Sequence, residues 1–220
     1  MEKQKYAAIV LAAGSGKRMN SKVHKQYLII QDRPVLYYSL KAFEDSAVDE
    51  IVLVVGKGEE EFCRKEIVDK YGISKVKAIV EGGKERYHSV FEGLKQTSDA
   101  DYVLIHDGAR PFVNQDIIRR CMQEVQKYQA CVVGMPVKDT IKIADEEGYA
   151  KQTPDRKNVW MIQTPQTFSY ALIYEAYGEM LKTEDTAITD DAMVLERIKG
   201  KKSKLIEGSY RNIKITTPED

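Results

Sequence analysis

Ile9-Val10-Leu11-Ala12-Ala13-Gly14-Ser15-Gly16-Lys17-Arg18-Met19 is the stretch on which the reading of the fold turns. An apolar run with strand character ends in two alanines and then in Gly-x-Gly-Lys-Arg. Glycines permit φ > 0 and let backbone N–H groups line a concave nest, and the adjoining cations neutralise bound charge. That chemistry suits a polyphosphate; the same residues also fit an ordinary βα turn with a basic edge. Lys25 follows in His24-Lys25-Gln26-Tyr27. Two familiar phosphate motifs are excluded. The dinucleotide fingerprint needs a third glycine where Met19 stands. The P-loop needs four residues between its glycines and then Lys-Ser or Lys-Thr, which Gly14-Ser15-Gly16-Lys17 does not provide.

Around this stretch, strands and helices alternate. Tyr6 to Ala12 predicts the first strand. Pro34 sits as the first residue of a helix continuing to Phe43. Ile51 to Val55 is almost all β-branched and stops at Gly56, as a buried parallel strand does. Glu59 to Tyr71 reads as a charged amphipathic helix ended by Gly72. Lys77 to Val80 is a short strand, and Gly82-Gly83 opens a helix to about Gln96. Tyr102 to Ile105 is a strand ending at His106-Asp107. Asn114 caps a helix to Tyr128, and Cys131 to Met135 is a strand stopped by Pro136. The pattern predicts an α/β fold: a mostly parallel twisted sheet with right-handed crossovers and helices on both faces.

The rhythm then breaks. Val137 to Ile143 alternates like a strand, Asp145-Glu146-Glu147-Gly148 is turn-like, and Tyr149 to Thr153 returns. Such a polar hairpin is marginal alone, so it lies on the surface or serves as a protruding β-hairpin arm that grasps a partner; the arm is the preferred reading. Trp160 to Thr164 reads as strand, Ser169 caps a helix to Leu181, and Thr189-Asp190-Asp191 starts a helix to Lys199. Lys204 to Glu207 and Asn212 to Thr216 are short strands. Nothing resembles a linker, so residues 1–220 are expected to form one domain.

The 34 basic and 34 acidic residues cancel, which argues against non-specific nucleic-acid binding. Cys63, Cys121 and Cys131 form neither a disulfide framework nor a zinc motif. They are expected to be buried or incidental thiols in a reducing compartment. The N-terminus lacks the apolar region of a signal peptide, and no apolar run approaches the ~20 residues that span a bilayer. The expectation is a cytoplasmic protein with no membrane partner.

Ligands of open α/β sheets bind beyond the carboxyl ends of the strands. The first strand delivers Gly14 to Arg18 there. The strand at Val80 delivers Glu81-Gly82-Gly83-Lys84-Glu85-Arg86-Tyr87-His88-Ser89. A Gly-Gly pair at a helix start exposes N–H groups that read a base edge or bind an anion, and Ser89 adds a hydroxyl. The strand at Ile105 delivers His106-Asp107-Gly108-Ala109-Arg110-Pro111. Asp107 suits Mg²⁺, which takes one or two carboxylates plus phosphate oxygens, and Arg110 offers a planar fork for a phosphate. His106 reads as a structural contact, since no second His or Cys has partner spacing.

These elements occur in order with Lys25-Gln26-Tyr27, Asp155-Arg156, Gln163-Thr164-Pro165-Gln166, Thr189-Asp190-Asp191-Ala192 and Asn212-Ile213-Lys214-Ile215-Thr216. The series closely resembles the 2-C-methyl-D-erythritol 4-phosphate cytidylyltransferases of the non-mevalonate isoprenoid pathway, over essentially the full chain. The resemblance implies a Rossmann-like nucleotidyltransferase fold, a homodimer, and Mg²⁺-dependent transfer of CMP from CTP to the sugar phosphate with release of pyrophosphate. It implies that Arg18 and Lys25 are the catalytic cations. Ala12, Ala13, Gly14, Ser15, Gly16 and Lys17 would hold the nucleotide, with Gly82, Gly83 and Ser89 reading cytosine and neighbouring groups. Asp107 would bind Mg²⁺. Arg110, Thr140, Arg156, Thr164 and Lys214 would surround the methylerythritol phosphate. The arm, about residues 137–158, would reach the other subunit, so that Thr140 and Arg156 complete the partner's site. His24 and Lys84 depart from residues common in the family.

Two other functions fit parts of the sequence. A ribitol-5-phosphate cytidylyltransferase shares the glycine loop, the His-Asp-x-x-Arg-Pro element and Gln-Thr-Pro-Gln. Asp155-Arg156 with Trp160, and Thr189-Asp190-Asp191-Ala192, favour the erythritol enzyme. A non-catalytic nucleotide-binding regulator would not need Arg18, Lys25 and Asp107 together.

Overall fold

A computed structural model describes residues 3–14, 24–183 and 187–220. Ser15, Gly16, Lys17 and Arg18 of the basic loop lie outside the described residues. Seven strands form one sheet: β1 (Tyr6–Ala12), β4 (Glu50–Val55), β5 (Val76–Glu81), β6 (Tyr102–Asp107), β7 (Ala130–Pro136), β10 (Trp160–Ser169) and β11 (Lys204–Glu207). Their spatial order is β11-β7-β10-β6-β1-β4-β5. β1 pairs in parallel with β4 and β6, β4 with β5, and β11 with β7. Only β10 runs antiparallel, against both β6 and β7. The expected mostly parallel α/β sheet is therefore present.

The strands β1, β4 and β6 are buried throughout or nearly so, because helices cover both faces. On one side lie α1 (Val35–Glu44), the helix begun by α2 (Glu60–Cys63) and α4 (Gln115–Tyr128). Leu36, Leu40, Phe43, Ile67, Ile117 and Cys121 pack there on Ala8, Val10 and Leu104. On the other side lie α3 (Arg86–Lys95), α5 (Tyr170–Met180) and α6 (Asp191–Lys199). Val90, Leu94, Ile173, Tyr177 and Leu195 pack there on Ile9, Val54 and Ile105. Alternate β1 residues thus serve opposite cores, as the two-residue period of a strand requires. β1 is the strand from which the chain steps first to β4 on one side and later to β6 on the other. A crevice opens at such a switch point, between the carboxyl ends of β1 and β6.

Several expectations need correction. Pro34 is the N-cap of α1 and belongs with Arg33 to β3 (Arg33–Pro34), paired to β2 (Ile29–Ile30). The helix expected from Glu59 to Tyr71 is α-helical only at its start and continues as a π-helix over Arg64–Asp69, before Gly72 stops it at φ +64°. Gly82-Gly83 precedes α3 rather than opening it, and Glu85 is the N-cap. The hairpin ladder is shorter than predicted: only β8 (Ile143–Ala144) and β9 (Ala150–Gln152) pair. β10 runs five residues beyond Thr164, to Ser169. Asn212 to Thr216 forms no strand; Ile215 donates its N–H to the Ala109 carbonyl.

Candidate active site

The crevice is built from three strand ends. At the end of β1, Ala12 and Ala13 lead into Gly14. Gln26 is buried and its Nε2 donates to the Ala12 carbonyl at 2.6 Å, which holds that strand end in place. Gln26 lies in a short 3₁₀ turn, Lys25–Tyr27. Glu59 anchors this turn: one oxygen meets His24 Nδ1 at 2.7 Å, and the other accepts from Tyr27 O–H at 2.7 Å and from Gly56 N–H at 3.0 Å. His24, one of the two departures from the family pattern, is thus a contact partner of Glu59 beside the turn.

Beyond β5, Gly82 donates its N–H to the Val55 carbonyl at 2.8 Å. A Cβ placed on Gly82 would stand 2.6 Å from both Ala13 Cβ and Ser89 Oγ. Only glycine lets the two backbones approach this closely. Gly83 N–H donates to Ser89 Oγ at 3.2 Å, and that hydroxyl donates to the Glu85 carbonyl at 3.3 Å. Ser89 therefore fastens the glycine turn to α3.

Asp107, at the end of β6, is 7% exposed. Lys214 Nζ stands 2.9 Å and Arg110 Nε 3.6 Å from its Oδ2, and Arg86 Nε stands 3.5 Å from its Oδ1. Burial pushes the carboxyl up, but Lys214, Arg86 and Arg110 outweigh it and hold Asp107 well below the usual carboxylate range. Its backbone N–H donates to Thr164 Oγ1 at 3.0 Å. Behind it, His106 is fully buried, with Nε2 3.1 Å from the Arg110 carbonyl and Nδ1 3.0 Å from Thr164 Oγ1. A carbonyl only accepts, so Nε2 carries the proton and Nδ1 accepts from the threonine hydroxyl. Burial pushes His106 down to about 4, so the ring is neutral near pH 7. It orients Thr164 and Arg110, the structural contact expected of it.

The resulting crevice has a volume of about 520 Å³. Ala12, Ala13, Gly14, Lys25, Gly83, Ser89, Asp107 and Lys214 line it, together with Gln26, Lys84, Glu85, Arg86 and Thr216. Arg110 stands behind it: Nη1 and Nη2 donate to the Asn212 and Ile162 carbonyls at 2.8 and 3.4 Å. Thr164 is buried, its hydroxyl committed to Asp107 and His106. Thr140 and Arg156 are exposed on the arm and do not line this crevice; Arg156 Nη1 donates to the Lys138 carbonyl at 2.7 Å. A second cavity, about 570 Å³ beside Tyr6, Ser46 and Gln126, contains none of the predicted site residues.

Three side chains near the crevice received no role from the sequence. Arg86 forms a bidentate pair with Asp191, both bonds 2.7 Å. Asp191 has no exposed surface and also accepts from Tyr177 O–H at 2.6 Å. Gln166 Oε1 accepts from the Asp191 and Ala192 N–H groups, the unpaired donors that open α6. Pairing of Arg86 with a residue 105 positions away leaves no mark in spacing or periodicity. The one available signal is an arginine just after Gly-Gly together with an Asp-Asp pair at a helix start.

Asp107 at the strand end, with no cluster of three His, Cys, Asp or Glu side chains among the described residues, suits a cation that completes its shell with phosphate oxygens and water. It does not suit zinc.

Comparison with known proteins agrees with this architecture. A family profile described as IspD: 2-C-methyl-D-erythritol 4-phosphate cytidylyltransferase matches residues 6–220. The chain is 55% identical to the 2-C-methyl-D-erythritol 4-phosphate cytidylyltransferase of Lachnospira eligens, over 97% of this chain and 94% of that one. It is 51% identical to the enzyme of the same name from Lachnoclostridium phytofermentans, over 99% and 93%. Among solved structures, the 4-diphosphocytidyl-2C-methyl-D-erythritol synthase of Anaerococcus prevotii superposes with a TM-score of 0.86 at 38% identity, covering 99% of this chain and 92% of that one.

Proposed function

Since the chain belongs to the 2-C-methyl-D-erythritol 4-phosphate cytidylyltransferase family, we propose that its crevice performs that reaction with the residues described above. The enzyme transfers CMP from CTP to 2-C-methyl-D-erythritol 4-phosphate, giving 4-diphosphocytidyl-2-C-methyl-D-erythritol and pyrophosphate. The observation that carries the assignment of the site is the meeting of Ala12–Gly14, Gly83, Lys25, Asp107 and Lys214 in one crevice. The Ala13 and Gly82 backbones bound the base end, and Lys25 faces the triphosphate; Lys17 and Arg18, outside the described residues, are assigned to the same phosphates by the family resemblance alone. Asp107 would hold Mg²⁺, which supplies charge neutralisation on the triphosphate when bound.

The substrate phosphate is already an anion near neutral pH, so no general base is needed. One of its oxygens attacks the α-phosphorus of CTP in line, the new P–O bond forms, and the bond to the β-phosphate oxygen breaks with its electron pair leaving on pyrophosphate. The protein's work is to hold two anions together and stabilise the equatorial charge, which falls to Lys25 and Arg18. Lys214, exchangeable from Asp107, stabilises the acceptor end, and Arg110 adds positive charge from behind the wall. The arm reaches a second copy of the chain and offers Thr140 and Arg156 to that copy's crevice. Exposure of Ile143 and Tyr149 on the arm supports this, since both would otherwise face water. No helix among the described residues is long and apolar enough to cross a membrane, and three buried free thiols suit a cytoplasmic setting.

The test offers purified protein CTP and Mg²⁺ with methylerythritol phosphate or ribitol 5-phosphate while pyrophosphate is followed. Release with methylerythritol phosphate is expected. Release only with ribitol 5-phosphate would transfer the assignment to that substrate, and release with neither would leave a nucleotide-binding protein.

A further inference from the structure

Three cations face Asp107, and they are not equivalent. Arg110 is committed to two backbone carbonyls. Arg86 spends Nη1 and Nη2 on Asp191 and turns Nε toward Asp107 Oδ1. Lys214 approaches Oδ2 on a flexible stem, a third of its side chain exposed, with no second partner among the described residues. Lys214 is thus free to exchange Asp107 for an incoming anion, whereas Arg86 is not.

What makes Arg86 immobile is Asp191. That carboxylate is wholly buried, where an unpaired charge is strongly disfavoured, and its second support, Tyr177, is a core side chain of α5. Gln166 fixes the start of α6, from which Asp191 projects. The guanidinium fork matches the carboxylate in two parallel bonds, which sets its plane as well as its position. We infer that Arg86, locked by Asp191, is a positioning residue. It holds Asp107 Oδ1 in place and so fixes the direction of Oδ2, now met by Lys214, as the oxygen that would take a nucleotide-bound Mg²⁺. Although Arg86 lines the crevice, each of its three nitrogens already faces a carboxylate, which fixes the guanidinium plane against the wall. This inference rests on the assignment of Asp107 to the nucleotide–metal end of the site.

Asp191→Asn keeps the size of the side chain and removes the charge that orients Arg86. The expected result is a kcat about 10–100-fold lower per folded molecule, the range usual for residues that orient a ligand of a metal. The KM for CTP should rise no further than the lost Mg²⁺-dependent tightening accounts for, the remaining loss appearing in kcat. Calorimetry gives a second readout. CTP binding without metal should equal wild type, while the tightening of CTP binding on adding Mg²⁺ should shrink. Arg86→Met should reproduce both effects, and the double variant should be no slower than Arg86→Met alone, as for two residues acting through one contact. Should either single variant fail to fold, the double variant, which leaves no buried charge without its counter-charge, decides on the same two readouts. Wild-type kcat in folded variants, or an unchanged effect of Mg²⁺ on CTP binding, would overturn the inference. An inactive wild type in the parallel assay would instead overturn the assigned reaction.

Discussion

Lys25 stands on the crevice wall at the start of a short turn, beside a glutamine that grips the β1 carbonyl. Its position is therefore set by β1 rather than by the loop that precedes it. A preorganised cation aimed at developing charge contributes far more than a mobile one. Lys25→Ala should lower kcat by at least ~10², the scale of losing one oxyanion donor. Steady-state pyrophosphate release checks this, and near-normal turnover would remove Lys25 from the catalytic role. Asp107 and Thr164 show how a residue type underdetermines its use. Both were expected to touch ligands; Asp107 does line the crevice, whereas the Thr164 hydroxyl is spent on the Asp107 N–H and His106. A buried hydroxyl finds a protein partner first, and a sequence does not reveal which hydroxyls are buried.

The elements tell a similar story of local signals read well and distant ones missed. Ile51 to Val55, bounded by Gly56, carried its own strand signature. Asn114 marked the start of α4, where its side chain accepts from Ile117 N–H at 2.9 Å. These are short-range effects of side chain on backbone. The expected strand ends at Thr164, whereas β10 continues through Gln163-Thr164-Pro165-Gln166, whose flanks pair with β6 and β7. Gln163 ties the Ser209 loop through its carbonyl at 2.8 Å, and Gln166 caps α6. The motif is a junction of three elements, visible only once they are assembled. The close approach of β1 and β5 ends makes a sharper claim. Gly82→Ala would force Ala13 and Gly82 apart, and such a displacement near reacting groups costs about 10² in kcat/KM for CTP. Kinetics on a variant whose circular dichroism matches wild type checks it; unchanged kcat/KM would show that the base end tolerates the wider spacing.

At the scale of the whole molecule, the order of strands places the crevice, because β1 and β6 diverge from the point where the chain reverses its stepping direction. The arm belongs to no part of that sheet. Thr140 and Arg156 sit on it, away from the crevice of their own chain, which is the arrangement expected if each crevice borrows them from another copy. Mixing inactive Lys25→Ala and Arg156→Ala variants under subunit exchange should then restore activity, since one of the two sites in a mixed dimer would be intact. Mixed dimers without recovered pyrophosphate release would contradict shared sites and leave the arm without a catalytic part.

In the proposed reaction an oxygen of the sugar phosphate attacks the α-phosphorus of CTP in this crevice. ³¹P NMR of the products formed from CTP and methylerythritol phosphate labelled with ¹⁸O in its phosphate group tests it most directly. The diphosphate product should carry the label in its bridging oxygen, and the pyrophosphate should be free of it. Label in pyrophosphate, or no diphosphate product from an enzyme that binds CTP, would rule out attack by the sugar phosphate at this site.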